Sequence, residues 1–323
     1  MKKSDTIRKT PVAVSLFFET GRETLQLELG CGEAGLQRLI QEGAINRPGL
    51  ALSGFYQYFA HRRIQVMGFA EHAYLSSLET GEQRSKLQEF FKKKIPCIVL
   101  SRGKRILPAI RELATEARVP VLRTPMITKD FVNAATILME NLMAPRLTRQ
   151  GTMVEIMGRG VLIAGKAGMG KSETALGLIK RGHALVSDDV TSLRLDSAGH
   201  LIGSPIGVTR YHMEIRGLGI IHVPSLFGVA SVRGEKKLDL VITLVEPGPR
   251  RDLDSEGNTQ GTIDLLGVPV PHLRIPVAPG RDPVNVVETA ALDQKLRALG
   301  HDAAKELDEQ LVAQMTQGKV GSE

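Results

Sequence analysis

Gly165, Lys166, Ala167, Gly168, Met169, Gly170, Lys171 and Ser172 satisfy the spacing G-x-x-x-x-G-K-[ST] of a phosphate-binding loop. Glycines at these positions let successive backbone N–H groups curl around phosphate oxygens. Lys171 would reach the β- and γ-phosphates of a nucleoside triphosphate, and the Ser172 hydroxyl would ligate Mg²⁺. An apolar run precedes the loop at 160–164 and a helical pattern follows it at 173–181. Strand, glycine-rich turn and helix start together make an anion site, because the helix adds the positive end of its dipole.

Phosphoryl chemistry also needs acidic groups beside the loop. Asp188 and Asp189 end the apolar run 184–187, two elements further on. One of the pair could hold Mg²⁺ and the other could take a proton from a substrate hydroxyl; by itself, an aspartate pair also suits a capped turn. Glu214 could complete a Mg²⁺ site and Arg216 could offset phosphate charge, with Gly217 and Gly219 allowing close backbone approach. Without other information, a salt-bridged turn explains the same stretch. Pro276, Val277, Ala278, Pro279, Gly280 and Arg281 form a rigid turn that would equally lead into a helix. The guanine-specificity pattern N-K-x-D is absent, as are the protein-kinase signatures H-R-D and D-F-G.

The elements that must position these groups alternate in type. Strands are predicted at 12–18, 64–67, 96–100 and 120–123, and helices at 34–40, 82–93, 105–117 and 128–143. Beyond Pro145, strands are predicted at 152–157, 161–164, 184–187 and 238–244, and helices at 284–299 and 302–315. The fold class is α/β, in two domains: 1–128, and 129–323 led by the helix 128–143 as a bridge.

Of 323 residues, 42% are hydrophobic and 24% charged, a soluble globular balance able to bury a large core without disulfides. Cys31 and Cys97 lack metal-ligand spacing and are expected to be reduced and buried. The apolar run after the basic start is too short for a signal peptide, no stretch is long enough to span a bilayer, and the expected location is the cytoplasm. A net charge of +7 with only 4% aromatics favours phosphate ligands or an acidic protein partner over nucleic acid.

Four stretches in this order resemble the HPr kinase/phosphorylase family: G-V-L-I-A-G-K-A-G-M-G-K-S-E-T-A-L, K-R-G-H-A-L-V-S-D-D, E-I-R-G-L-G-I-I and I-P-V-A-P-G-R. R-P-G-L-A-L-S-G-F-Y from Arg47 and E-T-A-A-L-D-Q-K-L-R-A-L-G from Glu288 extend the resemblance over nearly the whole chain. It implies a small α/β N-terminal domain. It also implies a C-terminal phosphate-loop kinase domain similar to the nucleotide core of phosphoenolpyruvate carboxykinase. The implied activity is ATP-dependent phosphorylation of a serine of HPr, the small phosphocarrier of the sugar phosphotransferase system. The reverse reaction releases pyrophosphate from phosphoserine and inorganic phosphate. A homohexamer is the implied assembly, with ATP or pyrophosphate and HPr as partners and no role for nucleic acid or membrane. Carried over, Gly165 to Ser172 bind the phosphates, Lys171 stabilises the transferring group, and Ser172 with Glu214 holds Mg²⁺. Asp189, then Asp188, is the general base. Arg216 lies in a segment tied to both activities, and Pro276 to Arg281 in one tied to dephosphorylation. Two positions depart from the family pattern: Gln150 replaces a histidine before Gly151, and Ser255 replaces an arginine. An amide cannot exchange a proton as an imidazole does, and losing a guanidinium removes fixed positive charge. The reverse reaction is therefore the activity these changes put in question. Arg250 or Arg251 would restore the charge if the loop is shifted. The alternatives are a related kinase with another acceptor and a non-catalytic nucleotide sensor.

Overall fold

The computed structural model describes residues 10–207, 210–247, 260–277, 282–302, 305–307 and 309–310. It divides into two compact units, Met1–Pro145 and Arg146–Glu323.

The first unit is built on a five-stranded sheet in the order Glu28–Cys31, Val121–Arg123, Ile98–Leu100, Ile64–Met67, Ile45–Asn46. The last four run parallel and the first antiparallel. Both faces are covered, which is why the central strand Ile98–Leu100 is wholly apolar and its neighbours Ile64–Met67 and Val121–Arg123 are mostly so. Val66, Val99 and Leu122 pack against Phe17 and Phe131 on one side. Met67, Ile98, Leu100 and Val121 pack against Leu87, Phe90 and Leu113 on the other.

Helix Thr128–Met143 belongs to this unit. Its stripe Phe131, Ala135, Met139, Met143 repeats every fourth residue and is buried in the first-unit core. The division therefore falls after Pro145, not at residue 128. Two further expectations are corrected. The run 12–18 is a two-residue strand, Val12–Ala13, followed by helix Val14–Gly21, because Val14, Phe17 and Gly21 share one buried helical face. The stretch 34–40 is a short 3₁₀ turn, Glu33–Gly35, and a two-residue strand, Leu39–Ile40, paired with Val12–Ala13. Cys31 and Cys97 are unpaired. Cys97 is buried as expected, and burial pushes its thiol up to about 12; Cys31 is only half-buried.

The second unit holds a nine-stranded sheet running Ala184–Ser187, Thr152–Ile156, Arg159–Gly165, Lys236–Val245, Leu201–Pro205, Val190–Leu195, Arg146–Gln150. Val268–Pro276 adds to Lys236–Val245 and carries Gln260–Leu265. The sheet is mixed rather than wholly parallel. Arg159–Gly165, Lys236–Val245 and Val268–Pro276 are parallel neighbours. Ala184–Ser187 reaches the same direction through two antiparallel pairings, with Thr152–Ile156 between. The carboxyl ends that carry the loop and the aspartate pair therefore share an edge, as the open-sheet rule requires.

Period-two alternation sends Val161, Ile163, Leu240 and Ile242 toward helices Lys171–Lys180 and Pro283–Ala298. Leu162, Val241 and Met153 go to the opposite face, and Leu238 joins them because the register shifts between Gly160 and Val161. The expected helix 302–315 lies mostly outside the described residues; 305–307 and 309–310 are helical. Among the described residues no helix is long and apolar enough to cross a membrane.

Candidate active site

Strand Arg159–Gly165 delivers the glycine-rich loop at the carboxyl edge of the second unit's sheet. Gly168 and Gly170 hold φ of +82° and +79°, and a Cβ on either would meet nothing within 4 Å, so the loop is left-handed and open to one side. Helix Lys171–Lys180 starts directly from Gly170. The Lys171 ammonium folds back over the loop and donates to the carbonyl oxygens of Gly165 and Lys166, at 3.2 Å each. Met169 turns inward and packs on the core, whereas Lys166 is exposed and lies 3.5 Å from Glu246.

The far end of the same helix is clasped. Arg181 pairs with Glu288 at 2.7 Å and Asp282 at 3.2 Å, and His183 Nε2 lies 2.7 Å from Glu288. The His183 hydrogen bond, then Arg181, holds the Glu288 carboxyl below the usual carboxylate range. These contacts pin the loop helix to helix Pro283–Ala298, which fixes where Lys171 and Ser172 stand.

Around the loop lies an open cleft of ≈ 460 Å³, lined by Gly168, Gly170, Lys171, Ser172, Glu173, Asp188, Asp189, Glu214, Ile215, Arg216, Gly217 and Gly219. The structure therefore brings Asp188, Asp189, Glu214 and Arg216 to the loop, as the sequence predicts. The two aspartates have different surroundings. Asp188 accepts from Ser172 Oγ at 3.0 Å and Thr152 Oγ1 at 2.8 Å on one oxygen, and from the Glu214 N–H at 3.3 Å on the other. Asp189 has φ of +58°, a left-handed backbone, and its carbonyl accepts from the Gly151 N–H at 2.7 Å. Its side chain is exposed to the cleft, with no hydrogen bond or ion pair among the described residues. One carboxylate is thus fastened and its neighbour is free.

Glu214 and Arg216 sit on a hairpin of His212–Ile215 and Gly219–His222. Met213 and Ile215 are buried with Ala175 and Leu178 of the loop helix, so alternation turns Glu214 outward to the cleft. Arg216 is exposed and makes no ion pair among the described residues. Gln150 lies opposite Val190 in the strand register, immediately before the Gly151–Asp189 hydrogen bond. Pro276 ends its strand beside Val245, and the Val277 N–H donates to Val245 at 2.9 Å, at the same sheet edge. Ala278, Pro279, Gly280, Arg281, Arg250, Arg251 and Ser255 lie outside the described residues.

Thr152 is the site residue that the sequence reading missed. It is fully buried at the start of its strand, and its hydroxyl fixes Asp188. Thr152→Val keeps the shape and removes the donor. It should lower stability by about 1.5–3 kcal/mol, the range for hydrogen bonds to charged groups, read from the urea midpoint at unchanged slope.

Chemically, the arrangement offers a backbone cradle with an ammonium for a polyphosphate, oxygen donors of Ser172, Asp188 and Glu214 lining the same cleft, and a carboxylate, Asp189, that makes no hydrogen bond or ion pair among the described residues. Comparison with known proteins matches both units. Residues 12–139 match the family model described as HPr Serine kinase N terminus, and residues 141–311 that described as HPr Serine kinase C-terminal domain. An HPr kinase/phosphorylase from Leptospira biflexa serovar Patoc is 42% identical over 300 residues, covering 92% of this chain and 93% of that protein. One from Caldicellulosiruptor bescii is 38% identical over 307 residues, covering 94% and 99%. The solved Hpr(Ser) kinase/phosphatase from Coxiella burnetii is 38% identical and covers 50% of this chain and 98% of its own, with a TM-score of 0.45.

Proposed function

The chain belongs to the HPr serine kinase family, and from that premise we propose that it transfers a phosphoryl group from ATP to a serine of HPr, with the reverse phosphorolysis at the same site. The observation that carries this reading is the division of labour between Asp188, held by three donors, and Asp189, free in the cleft beside the loop.

The residues present fit the implied ligands. The left-handed glycines leave the loop open where phosphate oxygens would lie against backbone N–H groups. Ser172 and Glu214, with Asp188 behind them, offer the oxygen atoms that Mg²⁺ takes. When bound, ATP supplies the phosphoryl group and Mg²⁺ neutralises its charge. Lys171 supplies positive charge over the loop, and Arg216 supplies it from the hairpin opposite. Asp188 orients Ser172 through its hydroxyl. An Asp189 carboxylate oxygen takes the proton of the incoming seryl hydroxyl, and in the reverse direction the protonated group returns it. The clasp at Glu288 keeps the loop helix from moving as charge accumulates.

Purified protein incubated with ATP, Mg²⁺ and HPr should yield phosphoserine-HPr by mass spectrometry; its complete absence would overturn the reading. Phosphoserine-HPr with inorganic phosphate tests the reverse direction by release of pyrophosphate. The register places residue 150 on the strand beside Asp189. Gln150→His should therefore raise phosphorolysis relative to kinase action, by up to about 10²-fold, because an imidazole there can share the proton that Asp189 must return. Equal ratios in the two proteins would remove residue 150 from proton handling. A cytoplasmic homohexamer is the assembly this reading carries with it, checked by sedimentation of the purified protein.

A further inference from the structure

We propose that His212 and His222 form a two-imidazole site for a borderline divalent cation of the zinc, nickel and copper class, at the root of the hairpin that carries Glu214 and Arg216. The two residues are direct cross-strand partners, and their ring centroids lie 4.9 Å apart with planes tilted 43°. Cross-strand neighbours on one face of a hairpin are the closest side-chain pairs that a sheet provides. The buried face holds Met213 and Ile215, so His212 and His222 stand with Glu214 and Ile220 on the opposite, outward face.

Each ring is already oriented through its other nitrogen. His212 Nδ1 lies 3.0 Å from the carbonyl oxygen of Arg210. A carbonyl only accepts, so Nδ1 carries the hydrogen, and in the neutral ring Nε2 presents its lone pair. His222 Nδ1 lies 2.7 Å from Ser225 Oγ, a hydroxyl able to accept in the same way. Neither Nε2 has a hydrogen-bond partner among the described residues. Metal-binding histidines characteristically have one nitrogen tied to a carbonyl or another outer acceptor and the other free.

Imidazole nitrogen selects zinc, nickel or copper over magnesium, which separates this site from the oxygen cluster at Ser172 and Glu214. Among the described residues no third His, Cys, Asp or Glu joins the pair as a metal-binding group, so water fills the remaining positions. A cation held here ties the two strands together two residues from Glu214, and so stiffens the arm that forms one wall of the cleft.

The test titrates the full chain with Ni²⁺, and separately Zn²⁺, by calorimetry in excess Mg²⁺ to occupy oxygen donors. One equivalent should bind saturably. His212→Gln and His222→Gln should each weaken it at least tenfold, and Ser225→Ala should weaken it by about 10-fold through loss of the outer contact. His61→Gln, remote in sequence and exposed, should leave it unchanged. Co²⁺ absorption would report nitrogen coordination in the parent and its loss in the variants. The proposal fails if the parent shows no saturable binding, or if binding survives both histidine substitutions. Should either glutamine variant unfold, the Ser225→Ala affinity decides: an unchanged value overturns the site.

Discussion

Lys171→Ala should fold normally and lose about 10²- to 10³-fold in turnover, the range seen when one preorganised donor to developing charge is removed. The lysine's ammonium is folded over the glycine-rich loop, bound to the carbonyls of Gly165 and Lys166. Lys171 lines an open cleft, and water replaces its ammonium there at little cost to stability. The substitution therefore separates chemistry from folding: the melting temperature should move little while phosphoserine formation collapses. Lys171→Arg should not rescue, because a planar guanidinium cannot place its charge as a compact ammonium does within so tight a turn. Full turnover in Lys171→Ala, measured at saturating ATP and HPr, would remove the loop from the mechanism.

Asp189→Asn should cost about 10²- to 10⁴-fold in turnover in both directions, the contribution of a positioned general acid–base group. The isosteric amide cannot take the seryl proton. Asparagine tolerates the left-handed backbone at this position, so the variant should remain as stable as the parent. Asp188→Asn provides the contrast. Its carboxylate accepts from Ser172, Thr152 and the Glu214 backbone, and one amide oxygen cannot replace both carboxylate oxygens. That variant should lose stability as well as turnover. If Asp189→Asn retained parental rates while Asp188→Asn alone were inert, the proton-taking role would pass to Asp188.

The difference between the two aspartates marks how far the sequence was legible. The phosphate loop, its helix and the aspartate pair are local features: each is written in adjacent residues, and strand–turn–helix order suffices to place them on one edge. Which aspartate is free depends on Thr152, thirty-odd positions away in the chain and brought beside Asp188 by strand pairing. A single threonine in an apolar strand carries no local mark of that duty. The same limit explains the errors in the first unit. The run at 12–18 is apolar throughout, and periodicity cannot separate a short buried strand from a buried helical turn without knowing what covers it. Helix Thr128–Met143 has the bounds that the sequence predicts, but the unit it belongs to is not written in it. Its apolar stripe declares that it must pack on something, and only the folded chain shows Phe17 and Leu122 as the something. In the second unit, hairpin strands such as Val190–Leu195 and Leu201–Pro205 mix polar and apolar residues too weakly to stand out in the sequence, although Asp196 and Gly199 mark the turn between them.

The left-handed twist at Asp189 has a consequence of its own. Most side chains resist that backbone shape by about 1–2 kcal/mol, aspartate and asparagine less so, and glycine adopts it freely. The position proposed to take the proton is therefore one where the scaffold would be content with no side chain at all. An idle descendant bearing Asp189→Gly should outlast its working parent on heating. Durability screens run without an assay for catalysis would drift toward that silent form.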